Sequence, residues 1–228
     1  MKQSKRVIEA LSLEYDASMY KNKPIYDTVK RLFDIVFSLF AILLLSWLFL
    51  IIIVLIILID KQNPFYTQER VGKNGKIFKM IKFQTMNGKD KRPLEEILTK
   101  EQLEEYKEHY KVTHDPRITK FGKVLRRSSV DELPQLFNIL VGHMSVVGYR
   151  AVIKEELDNK YTEKEQALLL KTIPGLTGYW ACHNKDIVSY SERAKMELFY
   201  CYKRNIFFDF EIVVRTLVCF EFINHEPN

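Results

Sequence analysis

The chain of 228 residues is 47% hydrophobic and 28% charged, which excludes a disordered polymer and leaves room for one ordinary domain plus an appendage. A net charge of +6 from 35 Lys and Arg against 29 Asp and Glu is too small a surplus for a surface built to wrap duplex nucleic acid, though it suits an anionic membrane or a phosphorylated substrate. Cys182, Cys201 and Cys219 form no Cys-x-x-Cys, and the five histidines no metal-ligand spacing. Neither a disulfide framework nor zinc is expected, and the chain reads as facing a reducing compartment.

Residues 1–31 are polar and mixed in charge and read as a short cytosolic lead-in along a membrane surface. From Ile35 to Ile59 there are 25 residues without a charge, roughly 37 Å of helix against a hydrocarbon core of about 30 Å. The run lies too deep in the chain, and is too long, for a cleaved signal peptide. Basic residues flank it almost equally, with Lys2, Lys5, Arg6, Lys21, Lys23, Lys30 and Arg31 before and Lys61, Arg70, Lys73, Lys76, Lys79 and Lys82 after. The positive-inside rule therefore leaves open a spanning helix and one that bends near Ser46 and returns to the same face. Asp34, at the lip of the run, reads either as an interfacial residue beside Lys30 and Arg31 or as an ion pair that fixes the helix.

Residues 64–71, Asn74-Gly75 and 76–86 predict a strand, a type I′ turn and a second strand. Apolar residues at helical spacing predict an exposed helix over 94–111. A loop through Asp115-Pro116 and Phe121-Gly122 then leads to a short helix over 131–141 that stops at Gly142. Further helical stretches are expected over 155–172 and 192–222. In the last, Phe207, Phe208, Phe210, Val213, Val214, Leu217 and Val218 read as core in preference to a membrane-lying face, and Asp209, Glu211 and Arg215 forbid a span.

Asp131-Glu132 is the pair with the most chemistry available. Taken alone it reads as a helix cap, since acidic residues complement the start of a helix and Pro134 fits a first turn. Adjacent helical residues point about 100° apart, so functional carboxylates there would divide the work. One would be a nucleophile held ionised by the helix N-terminus, the other a ligand for a hard cation such as Mg²⁺. Lys123, Arg126 and Arg127 precede the pair, and Arg150 and Lys185 follow it, as cations for a phosphoryl charge.

The ordered set Lys30-Arg31-Leu32-Phe33-Asp34, Gln68-Glu69-Arg70-Val71-Gly72, Lys82-Phe83, Asp115-Pro116-Arg117-Ile118-Thr119, Leu125-Arg126-Arg127, Asp131-Glu132-Leu133-Pro134-Gln135 and Pro174-Gly175-Leu176-Thr177-Gly178 resembles the bacterial sugar transferases, the monotopic phosphoglycosyl transferases. The resemblance covers residues 23–217. It implies a mostly helical α+β fold, with a re-entrant membrane helix over 32–60 after the lead-in 1–31. The cytosolic transferase domain, 61–228, would hold the β-hairpin and interfacial amphipathic helices. The implied reaction moves a sugar 1-phosphate from a UDP-sugar to polyprenyl (undecaprenyl) phosphate and releases UMP, the first membrane step of capsule, exopolysaccharide, O-antigen or glycoprotein glycan assembly. By the same resemblance Asp131 is the catalytic nucleophile and Glu132 the Mg²⁺ ligand, while Lys82, Arg126, Arg127, Arg150 and Lys185 bind substrate. The implied setting is the cytoplasmic face of a bacterial inner membrane, with a homodimer and downstream glycosyltransferases as partners and no nucleic acid.

The chain departs from the family pattern in places. Ser46-Trp47 stands for Ser-Pro at the bend, Gln84 for an arginine, and His143 for the acid of Gly-Asp-Met-Ser. Tyr149-Arg150-Ala151 stands for Pro-Arg-Pro, which keeps the cation and removes two φ-locking residues. Lys185 replaces an arginine, keeping charge but not the planar fork. An alternative reading of these changes is a catalytically weakened relative that acts as a membrane-anchored scaffold.

Overall fold

A computed structural model describes residues 5–110, 112–183 and 189–223, with side chains to residue 218. The chain is mostly helical with two small sheets, and it divides into two compact units, one of residues 1–38, 69–78 and 138–228 and the other of 39–68 and 79–137.

The first unit is built on a three-stranded parallel sheet, β3 (Ser145–Val147), β4 (Tyr149–Arg150) and β5 (Pro174–Thr177), with β5 in the middle. Val147 stands opposite Thr177, and Arg150 opposite Gly175. β3 and β4 flank the same strand, so the chain crosses at Gly148, where the backbones touch. A Cβ on Gly175 would lie 2.0 Å from Gly148 N, a close approach that only glycine permits. Helices α7 (Lys154–Lys160), α8 (Glu163–Leu169), α9 (Tyr190–Lys203) and α10 (Ile206–Ile223) surround this sheet in sequence. α9 is the central one, with Leu198, Phe199, Tyr200 and Cys201 all buried.

The apolar run lies in one long helix, α2 (Pro24–Leu55), which continues into a π-helical turn, Ile56–Asp60. Pro24 opens it, as a first-turn proline should. Its first turns are tied into the first unit by three polar side chains. Lys30 Nζ donates to Asp209 at 2.8 Å, Arg31 donates to the carbonyls of Ile139 at 2.6 Å and Leu140 at 2.8 Å, and Asp34 Oδ1 accepts from Val146 N at 2.9 Å. Asp34 is buried, and its partner is a strand amide, not a cation of its own helix.

In the second unit the later part of α2 and the π-helical turn bury Phe49, Ile52 and Ile56 along one stripe, and the Phe49 ring packs on Phe83 and Phe137. Much of the rest of that stretch is exposed, including Phe40, Leu43, Leu44, Trp47, Leu50 and Val54. The helix is long and apolar enough to cross a membrane. It is unbroken at Ser46-Trp47, where Ser46 Oγ donates back to Leu43 O at 2.9 Å.

The hairpin forms as expected from β1 (Phe65–Val71) and β2 (Ile77–Phe83). Asn74 (φ 57°) and Gly75 (φ 76°) take the left-handed conformation that the turn requires. Other expectations need correction. α5 (Lys120–Arg127) is a helix where loop was expected, and the lead-in contains a helix, α1 (Lys5–Ser12). α1 is bonded to α9, through Lys195 Nζ to Leu11 O at 2.8 Å and Lys203 Nζ to Glu9 at 3.0 Å. The helix expected over 94–111 is two, α3 (Leu94–Ile97) and α4 (Lys100–His109), because Thr99 and Gln102 form a capping box that starts a new one. Thr162 and Glu165 split 155–172 in the same way. The helix expected over 131–141 begins only at Gln135, as α6 (Gln135–Val141). α10 is core on one side, with Phe208 and Ile212 buried, and exposes Phe207, Phe210, Val214 and Leu217 on the other.

α5 lies so close to the strand exit that a Cβ on Gly122 would be 2.1 Å from Thr85 O. Gly122→Ala should therefore destabilise the protein by about 1–3 kcal/mol or prevent its folding, as overpacking against rigid backbone does; thermal unfolding in detergent would show the loss.

Candidate active site

Asp131 and Glu132 sit on a short 3₁₀ turn, Val130–Glu132, between α5 and α6. The turn is set by Ser129, which is left-handed at φ 53° and makes no side-chain cap. Glu132 N donates to Ser129 O at 3.2 Å and Leu133 N to Val130 O at 3.1 Å, which turns the chain before Pro134 admits it to α6. The pair is thus neither a helix cap nor the first turn of α6.

Burial separates the two carboxylates. Asp131 is 7% exposed, while the Glu132 side chain is 35% exposed and pairs with Lys82 Nζ at 2.6 Å. Lys82 projects from β2 opposite the buried Phe83, the alternation of a strand. Burial, and then the charge of Glu132, push Asp131 up to about 6, against the pull of Lys82 and Arg126. The expectation that a helix N-terminus holds Asp131 ionised is replaced by a balance between desolvation and two side-chain cations.

Arg126 and Arg127 occupy the last turn of α5. Arg126 Nε donates to Thr85 Oγ1 at 2.9 Å, and Thr85 is itself buried. Thr85 O accepts from Thr119 N at 3.0 Å, and the Thr119 side chain caps α5 and donates to Asp60 at 2.9 Å. The arginine nearest the carboxylates is thereby fixed at its guanidinium and at the start of its helix. Arg127 is exposed on the same turn. Lys82, Arg126, Asp131 and Glu132 are brought together within the second unit. Arg150 is exposed at the end of β4 in the first unit, and Lys185 lies outside the described residues.

The arrangement places a carboxylate in partial burial beside two cations and a second carboxylate. Such a group can attack an electrophilic phosphorus while the cations neutralise the phosphoryl oxygens. Among the described residues no group of three His, Cys, Asp or Glu side chains gathers to form an all-protein metal cage. Two carboxylates on one turn do fit Mg²⁺, which takes one or two of them and completes its shell with water and substrate phosphates. Thr85 was not among the expected site residues. Thr85-Met86, just past β2, does belong to the family-like pattern of the sequence, but nothing in that pattern assigned it a role.

The bacterial sugar transferase family matches residues 25–222, and the chain belongs to that family. It is similar to the exopolysaccharide production protein ExoY of Rhizobium meliloti, at 40% identity over 197 residues, 86% of either chain. It is also similar to the UDP-galactose-lipid carrier transferase of Erwinia amylovora, at 37% identity over 83% of this chain and 39% of the relative. The undecaprenyl-phosphate galactose phosphotransferase of Salmonella typhimurium is 34% identical over 82% of this chain and 39% of its own length. The chain is therefore a sugar transferase enzyme, of a length comparable to ExoY and matching only part of the two longer relatives.

Thr85→Val keeps the shape and the backbone contacts but leaves Arg126 without its acceptor. It should lower kcat/KM about tenfold, the scale of a hydrogen bond to a charged group, with little change in Tm, and Thr85→Ser should restore most of the rate.

Proposed function

We propose that this protein transfers a sugar 1-phosphate from a UDP-sugar to polyprenyl phosphate, with undecaprenyl phosphate as the acceptor, in the initiating membrane step of a surface polysaccharide or related glycan. The observation that carries the reading is Asp131, a nearly buried carboxylate with its pKa pushed up to about 6, beside Arg126 and the Lys82–Glu132 pair. The names of the relatives supply the lipid acceptor and a UDP-galactose donor to test first.

On this reading an Asp131 carboxylate oxygen attacks the phosphorus that bears the sugar. The bond from that phosphorus to the UMP oxygen breaks, and UMP leaves with the electron pair. The acyl phosphate so formed is then attacked by an oxygen of polyprenyl phosphate, which breaks the phosphorus–aspartate bond and returns the carboxylate. Lys82 orients Glu132, and Arg126 neutralises charge on the phosphoryl oxygens, joined by Arg127, Arg150 and Lys185 as donor-binding cations. Mg²⁺ held by Glu132 and the donor phosphates would supply further charge neutralisation.

The membrane helix fits a re-entrant path better than a span. Between the buried Ser38 and the buried Phe49 no residue is buried, and this stretch of ten residues, apolar but for Ser46, is only about 15 Å long, half of a hydrocarbon core of about 30 Å. Beyond Phe49 one side of the helix is already committed to protein. The basic residues at its start and those following it then share the cytoplasmic face, and the exposed Phe207, Phe210, Val214 and Leu217 of α10 supply an apolar face of the kind that lies in the headgroup region.

The test is UMP release by full-length protein in nanodiscs with Mg²⁺, undecaprenyl phosphate and a panel of UDP-sugars. Asp131→Asn should lose turnover by on the order of 10³-fold or more while remaining folded, and ordinary activity in that variant would remove Asp131 as nucleophile. Without acceptor, the wild type should release a single burst of UMP stoichiometric with enzyme; its absence from an active preparation would argue for direct transfer. Glu132→Gln should need more Mg²⁺ for half-maximal rate, and an unchanged requirement would refute its role as ligand.

A further inference from the structure

From Met144 to Val152 every residue is buried except one. Met144, Ser145, Val146, Val147, Gly148, Tyr149, Ala151 and Val152 are all at or below about the same few per cent exposure, and Arg150 alone is exposed. A single cation set out from a buried strand has its side chain in water and its backbone in the core. What holds that backbone is unusual, because the residues on either side of Arg150 are bonded to one two-residue segment of β1. Tyr149 OH donates to Val71 O at 3.4 Å, Arg70 Nη1 donates to Ala151 O at 3.0 Å, and Val71 N donates to Val152 O at 2.9 Å. β5 pairs with the other edge, Tyr149 opposite Pro174 and Arg150 opposite Gly175.

Arg70 is in turn held from behind. Its guanidinium lies 3.7 Å from Glu156 Oε2, and Glu156 Oε1 accepts from Arg193 at 2.9 Å and from Tyr190 OH at 2.7 Å. Arg193 also meets Glu197 at 3.2 Å, and both carboxylates are buried. Burial pushes Glu156 upward, but Arg193, Arg150, Tyr190 and Arg70 outweigh it and keep it below the usual carboxylate range. A buried charge cluster of this kind costs desolvation and is weak as a source of stability; fixing one geometry is its best-attested use. Burial keeps the Tyr149 hydroxyl protonated, well above its ordinary pKa, so it stays a donor.

We infer that Arg70 and Tyr149 are positioning residues for Arg150, clamping the backbone on both sides of it so that its guanidinium is presented at a fixed point to the phosphates of a nucleotide diphosphate. The inference rests on the donor-binding role of Arg150 proposed above. Here hydrogen bonds from β1 do what two prolines flanking the arginine would do by restricting φ.

The experiment is a double-mutant cycle on full-length protein in nanodiscs, read as the dissociation constant for UDP and, where turnover is present, as KM and kcat for the donor. Tyr149→Phe removes one oxygen from a packed ring and should weaken UDP binding and raise KM about two- to tenfold, the range for one hydrogen bond, with kcat and Tm nearly unchanged. Arg70→Lys should weaken UDP binding more strongly, with some loss of Tm because the guanidinium also faces the buried Glu156. In an Arg150→Gln background both substitutions should add almost nothing, since a brace acts only through what it holds. The same factor in that background, or an unchanged UDP affinity in Tyr149→Phe, would overturn the inference while leaving the proposed reaction standing. An Arg150→Gln variant that binds UDP as the wild type does, or a folded wild type that binds none, would overturn the inference together with the role of Arg150 on which it rests.

Discussion

A long apolar helix has no polar group with which to fix its own rotation or depth, so its position is decided at its polar root. In α2 that root is Lys30, Arg31 and Asp34, one turn of helix whose three side chains reach three different elements: the carboxylate of Asp209 in α10, the last carbonyls of α6 and the first amide region of β3. Each bond satisfies a group that would otherwise be buried or orphaned. The α6 carbonyls are among those that a helix leaves unpaired at its C-terminus, and Arg31 answers two of them with one planar fork. Asp209 also accepts from the hydroxyls of Tyr26 at 2.8 Å and Tyr200 at 2.9 Å, so the lysine bond belongs to a closed network in place of a surface ion pair. Cutting any one of these leaves an unsatisfied polar atom in the interior, which costs more than the bond itself contributes.

The same economy governs the carboxylate turn. A fully solvated aspartate would be a weak nucleophile surrounded by water, and a fully buried one would stay protonated. Asp131 lies between these limits because Lys82 and Arg126 offset part of the burial and the repulsion of Glu132. The two cations are themselves held by unrelated elements, Lys82 by β2 and Arg126 by the Thr85 hydroxyl. The electrostatics of the turn therefore depend on the hairpin and on the chain just past it, far from Asp131 in sequence.

That separation explains which parts of the molecule could be read from residues alone. The Asn74-Gly75 turn was legible because it is a local requirement for two positive φ angles. The apolar helix was legible from composition, and the Asp131-Glu132 pair from its motif. The parallel sheet was not, since β3, β4 and β5 are two to four residues long and the pairing partners are some 25 to 30 residues apart in register. The capping boxes at Thr99 and Thr162 were written in the sequence as Thr followed three residues later by Gln or Glu, and passing over them merged helices that the chain keeps separate; the stretch expected as one helix over 192–222 is likewise two, α9 and α10, parted at Arg204 and Asn205. Asp34 was misplaced because its partner is a backbone amide, which no side-chain pattern reveals.

On the proposed reading the two substrates impose opposite demands. The nucleotide cannot leave water and the polyprenyl chain cannot leave lipid, so the phosphorus must change partners at the boundary. A helix that crossed the bilayer would leave the depth of the transferase free to vary with membrane thickness. One that enters about halfway would have its depth set by its own length, starting from the polar root at Lys30, Arg31 and Asp34. The Ser46 hydroxyl, bonded back to Leu43 O within the helix, brings no unsatisfied polar group into the lipid and favours a bend over a break. On that reading the unbroken helix and a return to the same face are compatible, and the demand for a bend falls on the apolar stretch as a whole more than on any one residue at its midpoint.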